Sequence, residues 1–182
     1  MKVLSVASEV VPLVKTGGLA DVAGALPAAL AGHGVEMRTL MPGYPAVMKA
    51  LGKKTRVKAY SDLFGGKAAI VRAKAAGLDL YVVEAPHLYD REGGIYGKAD
   101  GTDWPDNWAR FAALGRAAAD LAAGADEKFK PDVVHAHDWQ AALAPAYLHH
   151  GETAVPTVVT VHNLAFQGRF GAEVFAQLGL PP

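Results

Sequence analysis

The strongest constraint on the fold lies in the first 41 residues. An apolar, β-branched run over 2–7 (KVLSVA) precedes an Ala/Leu-rich stretch over 20–32 (ADVAGALPAALAG), and VEMRTLM over 35–41 returns to strand character. A short run of branched residues marks a strand covered on both faces. Strand, loop, helix and strand make a βαβ unit, which requires a parallel sheet and a right-handed crossover. Gly32 and Gly34 close the helical stretch, and Pro27 inside it is expected to kink or break it.

The middle of the chain changes style. TRVKAYSDL, KAAIVRAKAA and LDLYVVEAP read as three strands linked by Gly-containing turns at 65–66 and 77, so an antiparallel excursion is expected around 55–84. Residues 85–106 show no periodicity, and a loop of that length in a compact domain is usually functional or disordered. A helix is expected over about 107–124, with Asp106 or Asn107 as N-cap and Gly124 closing it. PDVVHAHD and PTVVTVHN are apolar strands ending in polar residues. Between them WQAALAPAYLHH is a helix interrupted at Pro145, and GAEVFAQLG later forms a short helix. The fold class is α/β, a doubly wound, mainly parallel sheet, in which ligands bind at the carboxyl ends of strands where strand order reverses.

Length and composition narrow the function. With 182 residues the chain makes one domain, and 51% apolar with 20% charged residues is normal for a globular one. Lys plus Arg equals Asp plus Glu at 18 each, and GKKTRVK at 52–58 reads as a solvated strand edge, so nucleic acid is not an expected partner. No cysteine is present, which removes disulfides and thiolate metal sites. No stretch approaches the ~20 apolar residues of a membrane span, so no membrane partner is expected. The opening MKVLSVASEVVP is broken by Ser8 and Glu9 and reads as a first strand rather than a leader, so the expected address is cytoplasmic.

Three strand ends carry unusual residues: Lys15-Thr16-Gly17-Gly18, His135-Ala136-His137-Asp138, and His162-Asn163. If the three strands are parallel, these groups converge on one crevice. The glycines ease positive φ and free backbone amides, the next helix adds a partial positive charge, and Lys15 adds a full one. That set suits a phosphate or carboxylate; it equally suits a glycine-eased turn with a solvent-facing lysine. Neither a P-loop nor an early G-x-G-x-x-G is present, which counts against a dehydrogenase. Asp21 is a first-turn acid and Asp138 a candidate N-cap. His135 and His137 are expected to divide between the two faces of their strand, one in the core and one on the crevice, making a poor chelating pair. Tyr89, Tyr96, Trp104 and Trp108 suit either stacking on sugar faces or pinning the long loop to the core.

Taken together and in order, KTGGLADV at 15–22, TLMPGYP at 39–45, DNWARF at 106–111, HAHDW at 135–139, VHN at 161–163 and FQG at 166–168 resemble the bacterial glycogen synthases and plant starch synthases. The resemblance implies the N-terminal half of a GT-B glycosyltransferase, two Rossmann-like domains facing across a cleft. It also implies retaining transfer of glucose from ADP-glucose to the 4-hydroxyl at the non-reducing end of an α-1,4-glucan, without a metal or other cofactor. Residue by residue, Lys15, Gly17 and Gly18 resemble nucleotide-diphosphate contacts, and Asp21 and Asp138 sugar-positioning carboxylates. His162 resembles the residue beside the reacting sugar, while Asn163 and Tyr96 resemble acceptor-side contacts. Residues 1–182 would then be an acceptor-side Rossmann-like domain, incomplete and expected to be inactive alone, with the C-terminal donor-binding domain of the parent chain absent. The alternative is a non-catalytic glucan-binding module.

Overall fold

The computed structural model describes residues 1–181. Strand β1 (Lys2–Val6) leads through a loop to helix α1 (Gly18–Ala31), β2 (Glu36–Pro42) and a short helix α2 (Pro45–Ala50). Then come β3 (Thr55–Tyr60), β4 (Ala68–Ala75), β5 (Leu78–Glu84), α3 (Pro86–Tyr89) and the long α4 (Asn107–Ala122). The chain continues with β6 (Val133–His137), α5 (Asp138–Ala141), α6 (Leu143–His149), β7 (Thr157–Thr160) and a 3-10 helix at Ala172–Gln177.

One seven-stranded sheet has the order β3-β4-β5-β2-β1-β6-β7. β2 pairs with β1 and β5, and β6 with β1 and β7, all in parallel. β4 runs antiparallel between β3 and β5. The excursion expected around 55–84 is therefore present, and it ends in a two-residue hairpin. Ala76 and Gly77 both hold positive φ (51° and 79°), the left-handed pair that matches strand twist in such a turn. At the β3 edge a bulge lies between Arg56 and Lys58, and this edge is mostly exposed, the solvated rim that the sequence predicts.

The order of crossovers places the helices. From β1 the chain steps to β2 on one side; from β5 it returns past β1 to β6 on the other. Right-handed crossovers in opposite directions put α1 and α4 on opposite faces of the sheet. α4 packs across β1, β2 and β5 and against α6, and this layer buries Phe111, Leu114, Ala117 and Leu121. Strand order reverses between β1 and β6, so the crevice opens at their carboxyl ends.

Three local expectations change. α1 runs through Pro27 unbroken, forgoing one backbone bond while its Leu19, Ala20 and Ala23 face stays buried. The break in residues 139–150 falls at Ala142 rather than Pro145, which sits in the first turn of α6 where a missing N–H has no helical partner to lose. PGYP, expected only to close β2, leads on into the short helix α2, with Pro45 at its first position. Among residues 85–106 the loop is ordered by Arg110, which is buried and donates through Nε to the Leu88 carbonyl (2.9 Å) and through Nη1 to the Ile95 carbonyl (2.8 Å). Trp104 pins the loop by donating from Nε1 to the Gly94 carbonyl at 3.0 Å, and Trp108 meets Phe64 edge-on.

Candidate active site

At the carboxyl ends of β1, β6 and β7 lies a cleft of about 690 Å³. Gly17, Gly18, Tyr96, Asp138, His162 and Asn163 all line it. Six of the eight candidate residues thus converge, Gly17 and Asn163 from 146 positions apart, five of them from strand ends and Tyr96 from the long loop.

The β1 end is organised by Glu9, whose role the sequence did not reveal. Glu9 is only 3% exposed. Its carboxylate accepts the Thr16 N–H, the Gly17 N–H (3.3 Å), the Thr16 hydroxyl (3.0 Å) and the Tyr96 hydroxyl (3.3 Å). The amides of Thr16 and Gly17 therefore face an internal anion. A buried carboxylate needs such donors, and backbone N–H groups supply them without a cation. The Tyr96 hydroxyl also meets Ser8 Oγ at 2.7 Å, which ties the long loop to the strand end. Burial pushes the Tyr96 hydroxyl well above its ordinary pKa.

The glycines are not there for positive φ. Gly17 is extended at φ −148°, and Gly18 opens α1. A Cβ at either would meet nothing within 4 Å. Since neither conformation nor packing demands glycine, what the pair provides is bare backbone facing the cleft, room that a side chain would fill. Lys15 and Asp21 do not line the cleft. They pair with each other at 2.7 Å, each about half exposed, immediately beside it in the chain.

The β6 and β7 ends form the opposite wall. His135 and His137 share one face of β6, contrary to the expected division, because residues two apart on a strand project to the same side. Their ring centroids lie 4.1 Å apart. His135 Nε2 meets Thr160 Oγ1 at 2.7 Å, and His137 bridges Ser5 Oγ (3.2 Å) and His162 Nε2 (3.0 Å). Burial, then the neighbouring His135 and His162, pulls the His137 pKa down to about 3, and His135 is lowered by burial and by His162. His137 is therefore a neutral imidazole at physiological pH.

Asp138 is buried and adopts φ 56°, a left-handed conformation rare for a residue with a side chain. It does not cap the following helix; instead its Oδ1 accepts the His162 backbone N–H at 2.6 Å. Strain of this kind persists only where surrounding structure imposes it, and it concentrates at functional sites. Trp139 packs edge-on against Phe111 with centroids 5.0 Å apart and forms part of the cleft floor. Asn107 and Phe166, from the DNWARF and FQG motifs, also line the cleft, as does Gln140, which no motif marks.

A combination of bare backbone, carboxylate, imidazole and aromatic side chains suits a polyhydroxylated ligand. Comparison with known proteins agrees with this geometry. The family profile described as "Starch synthase catalytic domain" matches residues 2–182. The glycogen synthase of Mesorhizobium japonicum is 60% identical over 182 residues, all of this chain and 38% of that protein. That of Rhodopseudomonas palustris (strain BisB18) is 61% identical over 180 residues, 98% of this chain and 37% of that one. A solved structure, the catalytic domain of starch synthase IV from Arabidopsis thaliana bound to ADP and acarbose, superposes with a TM-score of 0.77 at 28% identity, over 98% of this chain and 37% of its own. The chain thus spans about 38% of the length of the curated relatives it matches. Its sheet order, its cleft and a profile match over nearly every residue lead to one assignment: the chain belongs to the starch synthase catalytic-domain family.

Proposed function

We propose that this chain forms the acceptor-side part of a retaining glucosyltransferase acting on ADP-glucose and an α-1,4-glucan. In that reaction the bond from glucose C1 to the diphosphate breaks, and C1 bonds to the 4-oxygen at the glucan's non-reducing end. The hydroxyl proton leaves with the departing diphosphate. The transition state carries positive charge on the sugar ring, as in glycoside hydrolysis. Asp138 and His162 stand beside that ring in this reading, and the open surface at Gly17 and Gly18 admits the donor. Lys15 turns from Asp21 to the diphosphate; an exposed pair of this kind contributes little, so the exchange is cheap. Tyr96 and Asn163 meet the acceptor. Asp21, once released, is left to hydrogen-bond a sugar hydroxyl. No metal is part of this reading: protein groups meet the diphosphate charge. The proposed setting is the cytoplasm.

The observation that carries the proposal is the convergence of Gly17, Gly18, Asp138 and His162 on one cleft at the strand-order reversal. The starch synthase IV neighbour, bound to ADP and acarbose, supports the ligand classes. The test is transfer of labelled glucose from ADP-glucose to glycogen by the full-length protein. His162→Ala and Asp138→Ala are each expected to lower kcat about 100-fold or more, the scale for losing a preorganised transition-state contact. Near-normal transfer by either variant would refute the site assignment. A non-catalytic glucan-binding role would be indicated if the full-length protein bound maltooligosaccharide but transferred nothing.

A further inference from the structure

His162 is held from two directions. Asp138 grips its backbone N–H at 2.6 Å, and His137 Nδ1 lies 3.0 Å from its ring Nε2. The two rings are nearly coplanar in orientation, 24° apart, with centroids separated by 5.3 Å. His162 Nδ1 has no hydrogen-bond partner among the described residues, and His162 lines the cleft. We propose that His137 is a positioning residue for His162: it engages the Nε2 edge, fixes the ring plane, and leaves Nδ1 as the one ring nitrogen offered to a ligand.

The chemistry of the contact supports orientation over proton transport. A neutral imidazole has one N–H and one lone pair, so His137 donates at one edge and accepts at the other. Ser5 Oγ, at 3.2 Å from His137 Nε2, can donate or accept and so satisfies either arrangement. Beyond Ser5 the chain of contacts stops, because Ser5 and His137 are fully buried. A serine hydroxyl does not release its proton at neutral pH, so no route leads to solvent. Whichever of the two arrangements the buried pair adopts fixes the His162 tautomer, since the bond at one ring nitrogen decides which nitrogen carries the proton. His135 packs against His137 with ring centroids 4.1 Å apart, which limits its movement, and is itself tied to Thr160. The consequence for glucosyl transfer rests on the function proposed above, whereas the state of the His162 ring can be read without it.

The experiment is heteronuclear NMR of the imidazole nitrogens in this chain. In the unsubstituted protein His162 should show two well-separated ring-nitrogen signals, those of a single tautomer, with a coupling across the bond to His137. His137→Phe keeps a ring in the stack but removes its nitrogens, and the His162 signals should then collapse toward a tautomer-averaged position. Because that substitution leaves the buried Ser5 hydroxyl unpaired, Ser5→Ala/His137→Phe provides a second variant without the orphaned group. Averaged His162 signals in the unsubstituted protein, or unchanged separation in a folded variant, would overturn the proposal. Added maltotriose should move Nδ1 more than Nε2, and the reverse would also overturn it. If maltotriose did not bind while the single tautomer stood, the proposed function would be at fault and not the role of His137.

Discussion

β1 and β7 run parallel in one sheet and both end at the cleft, yet they are held there differently. β1 lies between β2 and β6, with Leu4 and Val6 fully buried. β7 pairs only with β6 among the described residues, and Val158 and Val159 remain 49% and 46% exposed. Burying one large aliphatic side chain is worth about 1.5–3 kcal/mol, so the β1 wall is locked to the global fold. The β7 wall depends instead on polar contacts from β6 and α5: Asp138 to the His162 N–H, and His137 to the His162 ring. A net hydrogen bond contributes only about 0.5–1.5 kcal/mol. One wall should move only when the protein unfolds; the other can shift within a folded protein.

Substitutions in the shared core should produce the largest effect. Phe111 is buried behind both walls, touching Tyr96 and Trp139, and Phe111→Ala should cost about 3–5 kcal/mol in urea unfolding. A cost below about 1 kcal/mol would mean that the β1 side is not held by burial.

Acid should come next. The folded-state pKa of His137 is about 3 against 6.5 for a free histidine, so the unfolded chain binds the extra proton between those values. Stability is fully present above about pH 6.5 and falls as pH drops, by up to about 1.4 kcal/mol per pH unit for this one group. His135, also lowered, adds to the fall in the same direction. Denaturation midpoints measured from pH 7 to pH 4 should therefore decline, and His137→Phe should flatten the decline. A curve equally steep in that variant would assign the pH dependence elsewhere.

Asp138 separates the walls most directly. Asp138→Ala leaves the His162 N–H without its acceptor and should cost about 1–3 kcal/mol. Amide exchange should accelerate at His162 and along β7 while the β1 amides stay protected. Uniform acceleration in both strands would erase the distinction. The smallest effects belong to the surface: Lys15→Ala breaks an ion pair that is half exposed on both sides, and Val159→Thr alters an exposed edge residue. Each should change stability by no more than about 0.5 kcal/mol. For Lys15→Ala this makes any loss of the proposed glucosyl transfer a binding effect rather than a folding one.

Much of this was legible in residue patterns. The βαβ opening, the antiparallel excursion and its turn at Gly77, the α4 span and the polar strand ends all follow from local periodicity and turn chemistry. The ordered motif set pointed to the family that the profile match confirms. Less legible were Glu9, an acid that resembles a strand-end residue until its partners Thr16, Gly17 and Tyr96 are folded onto it, and the break at Ala142, where no proline or glycine stands. The two glycines line the cleft, yet neither holds the positive φ that the sequence suggests for them.

By itself, the sequence determined the local elements and the residue types available at each strand end, because strand and helix periods are set by neighbours a few positions apart. Only tertiary structure decided which ends meet. That β1 lies against β6 brings Ser5 to His137 across 132 positions, and the pairing of β6 with β7 brings His137 to His162. It also decided that the loop amides of Thr16 and Gly17 are turned to Glu9 and that Lys15 rests on Asp21. The physical reason is that a side chain's partners, and hence its charge state and orientation, depend on long-range closure of the sheet, which no local pattern encodes.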